Sequence, residues 1–161
     1  MVKVLIKRLN TKVKIPEYKT SGSSGLDLMA FLDNKVQIKP YNSALIPTGL
    51  SIAIPNDYEI QIRPRSGLAA KSNISVLNTP GTIDSDYRGE LKIILFNHGN
   101  NDYVVNNSDR IAQMVLTPII KMELEEVNEL PKTLRGSGGF GSTGKWKIFL
   151  IKKQLKDTQD K

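Results

Sequence analysis

Apolar residues in this chain come in short runs closed by turn formers, and that spacing favours strands over helices. The runs are VKVLIKRL (2–9), GLDLMAFL (25–32), SALIPTGLSIAI (43–54), YEIQIRP (58–64), GELKIILFNHG (89–99) and RIAQMVLTPII (110–120). They alternate polar with apolar residues or run unbroken, as half-buried and fully buried strands do. Turn-rich pieces at 21–25, 56–57, 78–81, 99–102 and 106–109 separate them, the punctuation expected of an all-β sandwich or barrel. Only GLAAKS (67–72) reads as a short helix.

A length of 161 residues suits one domain with a real core. The chain has no cysteine. Thiol catalysis, a Cys-based zinc site and a disulfide framework are therefore excluded, which suits a reducing compartment. The start, MVKVLIKRLN, breaks its apolar residues with Lys and Arg, and no run approaches the ~18 apolar residues of a membrane span. The expectation is a soluble, cytoplasmic protein with no membrane partner. The net charge of +7 sits at the ends: residues 1–15 carry five basic and no acidic residues, and 145–161 carry six Lys against Asp157 and Asp160. Residues 16–144 hold 12 basic and 14 acidic residues. No basic face is built into the fold, and no specific nucleic-acid partner is expected.

After residue 131 the composition turns to Gly, Ser and Thr, and RGSGGFGSTGK (135–145) contains both a G-x-G-x-x-G and a G-x-x-x-x-G-K spacing. A dinucleotide fingerprint needs a strand–helix crossover around it, and a Walker loop needs Ser or Thr after the Lys. Here Trp146 follows and the surroundings are β-rich, so both matches are spacing coincidences. KWKIFLIKKQL (145–155) regains apolar character and is equally a last strand or an amphipathic tail helix.

Four further stretches carry polar residues where a strand pattern would not put them. SGSSGLDLMA (21–30) brings Asp27 into an apolar strand, which taken alone is one outward carboxylate. RPRSGLAAKS (63–72) places two arginines, a serine and a glycine at a strand end, either an anion site or solvated surface arginines. NTPGTIDSDYRGELKI (78–93) gathers Asp84, Asp86, Tyr87 and Arg88, either a hydrolytic centre with one carboxylate as general base or a hydrogen-bonded turn. SDRIAQMVL (108–116) puts Gln113 mid-strand, more simply a sheet-face residue. Nothing in the residue pattern prefers Asp84 to Asp86.

In their order and spacing these pieces resemble the trimeric deoxyuridine triphosphate nucleotidohydrolases, or dUTPases. Five ordered motifs carry the resemblance: SGSSGLDL, RPRSGLA, NTPGTIDSDYRGE, DRIAQMVL and RGSGGFGSTG, spanning about residues 1–144. It implies a jelly-roll-like β-barrel over 1–134, a glycine-rich C-terminal lid at 135–144, a basic extension at 145–161, and a homotrimer whose active sites lie where subunits meet. The implied reaction is hydrolysis of dUTP to dUMP and pyrophosphate, which limits uracil in DNA and supplies dUMP for dTMP synthesis.

By the same resemblance, Asp84 is the general base. The third motif is a β-hairpin that takes uracil through backbone groups, with Asn78, Gly81, Thr82 and Ile83 lining the slot and Tyr87 packing under deoxyribose. Arg65, Ser66 and Gly67 contact phosphate, and Lys92 is a further nucleotide contact. Asp27 and Gln113 hold waters of a triphosphate-bound Mg²⁺, Gln113 also meeting the substrate. Arg135 reaches the γ-phosphate, Phe140 stacks on uracil, and Gly141, Ser142 and Thr143 complete the lid. Two other readings are a dCTP deaminase of the same fold and a non-catalytic trimeric nucleotide-binding module.

Overall fold

The structure, a computed structural model, describes residues 1–139. Phe140, Gly141, Ser142, Thr143 and the extension at 145–161 lie outside the described residues. Two compact units divide the chain, Met1–Lys121 and Met122–Lys161.

The first unit contains ten strands and one helix: β1 (Leu5–Arg8), β2 (Leu26–Met29), β3 (Val36–Ile38), β4 (Ser43–Ala53), β5 (Tyr58–Arg63), α1 (Ser66–Ser72), β6 (Ile74–Val76), β7 (Gly81–Ile83), β8 (Glu90–Asn97), β9 (Tyr103–Val105) and β10 (Arg110–Pro118). One sheet has the order β1-β4-β8-β6, a second β2-β10-β5-β7, and β3 pairs with β9. Every pairing is antiparallel. This is the expected all-β, jelly-roll-like barrel, and each of the six long apolar runs contains one of its strands.

Alternation along β8 shows how sequence sets the faces. Leu91, Ile93 and Leu95 are buried in the core, while Lys92, Ile94 and Phe96 point away, as the two-residue period of a strand requires. β4 departs from that period: Thr48 through Ile52 are all buried, and the bend at Gly49 leaves no room for a side chain. The pairing with β8 shifts between Pro47 and Ser51, Gly49 adopts φ +67°, and a Cβ there would lie 2.5 Å from Val13 Cγ2. Glycine is the residue that takes this left-handed bend without strain, and the bulge re-aims the strand so that successive residues find the core.

β3, β6, β7 and β9 have three residues each, too few for a period to register in the sequence. Their arrangement corrects one expectation. The third motif is not a hairpin of two paired arms: β7 pairs with β5, whereas β8 pairs with β4 and β6. Residues 84–89 instead cross from one sheet to the other, and the Thr79–Pro80 peptide before them is cis. Among the described residues no helix is long and apolar enough to cross a membrane.

Within the second unit, residues 122–139 contain no strand or helix. Met122, Leu124, Leu130 and Leu134 are exposed. Arg135 Nε donates to the Gly138 carbonyl at 2.7 Å, and Gly136 takes φ +52°.

Candidate active site

The turn after β7 is built by short-range bonds. The Tyr87 amide donates to the Asp84 carbonyl at 3.2 Å, and Arg88 Nη1 donates to the carbonyls of Ser85 at 2.6 Å and Tyr87 at 2.8 Å. Tyr87 Oη then donates to the Glu90 carbonyl at 3.0 Å, laying the ring across Gly89. A Cβ on Gly89 would stand 2.6 Å from Tyr87 Cζ, so the glycine is what lets the ring lie there.

This turn forms one side of an open cavity of about 330 Å³, lined by Thr82, Ile83, Asp84, Tyr87, Glu90 and Lys92 together with Leu45 and Ile94. Asp84 lines it and is exposed, with no ion pair among the described residues. Asp86 is not among the lining residues, which separates two carboxylates that the sequence left equivalent. An apolar wall, a tyrosine ring, an available carboxylate and an ammonium suit a base, a sugar, a water to be activated and a phosphate. Gly81 sits against Asn78, whose Nδ2 would be 3.1 Å from a Cβ at that glycine.

A second group gathers at the far end of β5. Asp27 on β2 receives Arg65 Nε on Oδ1 at 2.8 Å and Arg110 Nη1 on Oδ2 at 3.2 Å. Arg65 Nη1 also donates to the Arg110 carbonyl at 3.2 Å. Gln113, level with Asp27 on one side and Arg63 on the other, donates from Nε2 to the Pro64 carbonyl at 3.0 Å. Asp27 is thus not an isolated outward carboxylate, since both its oxygens carry arginine. Two arginines against one carboxylate leave a positive site, and the exposed Ser66 and Gly67 open α1 beside it. A Cβ on Gly67 would meet nothing within 4 Å.

Among the described residues no group of three or more His, Cys, Asp or Glu could cage a metal. Asp27 and Gln113 offer one carboxylate and one amide oxygen, but both Asp27 oxygens carry arginine here, so the pair would suit Mg²⁺ only indirectly, through the ion's waters and substrate phosphates.

The two groups belong to different ends of the sheet. Ile83 pairs with Ile60, so Asp84 falls level with Glu59, six residues from Arg65. At ~3.3 Å per strand residue that is roughly 20 Å, several times the length of a phosphate bridge. Asp27 lines a separate cavity of about 420 Å³, with Arg8, Lys14, Lys19 and Arg110. Three participants escaped sequence reading: Arg110, Glu90 and Gly89. Each lies inside the third or fourth motif, but what marks it is a cross-strand pairing or a ring contact, which no linear spacing carries.

The family model described as dUTPase matches residues 11–144. The chain is 56% identical to a deoxyuridine 5'-triphosphate nucleotidohydrolase of Bdellovibrio bacteriovorus, over 88% of this chain and 96% of the relative. It is 51% identical to the enzyme of that name from Hydrogenobaculum sp., over 89% and 99%. Among solved structures, the Staphylococcus bacteriophage 80alpha dUTPase with dUPNHPP superposes with a TM-score of 0.78 at 27% identity, covering 88% of this chain and 98% of that one. A dUTPase from phage phi11 of S. aureus shares the fold at a TM-score of 0.72 and 24% identity, covering 81% and 99%.

Proposed function

The chain belongs to the dUTPase family and hydrolyses dUTP to dUMP and pyrophosphate, and from that premise we propose that Asp84 is the base that activates the attacking water. The observation that carries this reading is its carboxylate, exposed on the wall of the cavity that Ile83 and Tyr87 also line. Uracil enters beside Gly81, Thr82 and Ile83 with Asn78 at the slot, and backbone groups there match uracil's edge. Cytosine is rejected because it would leave those donors and acceptors unpaired. Tyr87 supports the deoxyribose and leaves no space for a 2′-hydroxyl.

Water gives a proton to Asp84 as its oxygen attacks the α-phosphorus. The bond from that phosphorus to the bridging oxygen breaks, and the electron pair leaves on pyrophosphate. Arg65, with the hydroxyl of Ser66 and the open backbone at Gly67, neutralises and orients the phosphates; Lys92 and Gln113 add contacts. Asp27 and Gln113 would hold Mg²⁺ through its waters, and that ion would supply charge neutralisation to the triphosphate.

The placement of Asp84 after β7 and of Arg65 beyond the far end of β5 supports sites shared between subunits. The reading is therefore a homotrimer with three shared sites, the base and sugar held by one subunit and the phosphates by a neighbour. Arg135, Phe140, Gly141, Ser142 and Thr143 form a lid that closes on the nucleotide, with Arg135 on the γ-phosphate and Phe140 over uracil. Its closure removes water and strengthens every charged contact inside.

The test is Asp84→Asn assayed by pyrophosphate release from dUTP. Turnover is expected to fall by about three orders of magnitude or more with dUMP affinity kept. Unchanged turnover would sink the assignment and favour a binding module.

A further inference from the structure

Glu90 opens β8 next to the turn that carries Asp84 and Tyr87, and three contacts converge on it. Its Oε1 accepts the Gly49 amide N–H at 2.8 Å, its carbonyl accepts the Tyr87 hydroxyl at 3.0 Å, and its Oε2 lies 3.6 Å from Lys92 Nζ. Glu90 and Lys92 are two apart on a strand and so share a face. The glutamate side chain is 22% exposed and the lysine 47%, so the carboxylate is the fixed partner and the ammonium the movable one. Its anchor is rigid as well, because Gly49 is held at φ +67° against Val13 and Phe31. The backbone thus fastens a negative charge into the wall of a cavity that takes an anion, although a neutral side chain would hold that anion more tightly.

We propose that Glu90 is a positioning residue that tethers the Lys92 ammonium at the cavity and, through its charge, limits how tightly the dUMP product is retained. This rests on the reading of that cavity as the nucleotide site. In the empty site Lys92 pairs with Glu90; an arriving phosphate competes for the same ammonium. Once the phosphoanhydride is cleaved, Glu90 draws the lysine back and its charge opposes the dUMP phosphate.

Glu90→Gln keeps an oxygen for the Gly49 N–H and removes only the charge. Calorimetric dUMP affinity is expected to rise roughly threefold to tenfold, with a matching rise in product inhibition. Lys92→Met weakens dUMP binding, and adding Glu90→Gln to it gives a smaller gain than in the native background, because the pair is coupled. Glu90→Ala, which also strips the Gly49 amide of its acceptor, lowers the melting temperature. A brace with no electrostatic role would weaken binding in both Glu90 variants, so unchanged or weaker binding in Glu90→Gln overturns the proposal. Should Glu90→Gln not fold, the ¹³C carboxyl resonance of Glu90 in the unaltered protein decides: it moves on dUMP addition if Lys92 changes partner, and a fixed resonance overturns the proposal. Backbone amides of Thr82 and Tyr87 report separately on the cavity. If dUMP leaves them unmoved, the cavity reading itself fails; if they move while Glu90→Gln brings no gain, only the role of Glu90 is lost.

Discussion

Burial holds the Tyr103 hydroxyl above the ordinary tyrosine value, the Asp109 carboxylate adds to the shift, and Arg65 works against both. A group whose folded value is raised contributes its full stabilisation below the unfolded value of about 10 and loses it as pH climbs through the folded one. Stability should therefore fall above about pH 10 as the unfolded chain ionises first. In Tyr103→Phe that alkaline component disappears, and urea midpoints at pH 9 and pH 11 would reveal it. Gly89 yields a prediction of a different sort. Gly89→Ala meets only the far end of a tyrosine ring, which can swing away, so the melting point should barely move. The sugar floor moves instead, and KM for dUTP should rise roughly tenfold for ~1.4 kcal/mol of lost contact, with weaker discrimination against UTP. An unaltered KM would remove the role given to that ring.

Among the elements, the long strands and the lid have different standing. The barrel strands end at Pro118, and the buried apolar core lies between Val13 and Met114. Truncation after Leu134 should accordingly leave the barrel folded, by circular dichroism and thermal melting. Turnover should fall by orders of magnitude, as loss of a closing element does, and full activity in the truncated chain would refute the lid. Legibility in the sequence followed length. β8 and β10 announce themselves because eight or more residues keep a pattern, and β4 because its apolar run is long, whereas β7 shows nothing of the sort in three. Asp84 and Asp86 are alike to a sequence reader, and only the direction of the turn after β7 puts the former on the cavity. Arg110 was hidden because its partner is 83 positions away; strand register, not spacing, brings Asp27 to it.

For the whole molecule, the offset along β5 is the governing geometry. If sites are shared, trimers of Asp84→Asn and trimers of Arg65→Ala are each inactive, yet exchange of subunits between them should restore activity. In a random equal mixture about a quarter of sites would join an intact base to an intact arginine. Activity measured after brief partial denaturation and reassembly checks this, and a mixture that stays dead would place both groups in one chain's site. The same offset bears on heredity. A cell with two copies of the gene, one lacking the base and the other lacking the arginine, would clear its nucleotide pool although neither copy encodes a working enzyme. Two harmful alleles would then rescue one another, and a cross between such strains would score as wild type.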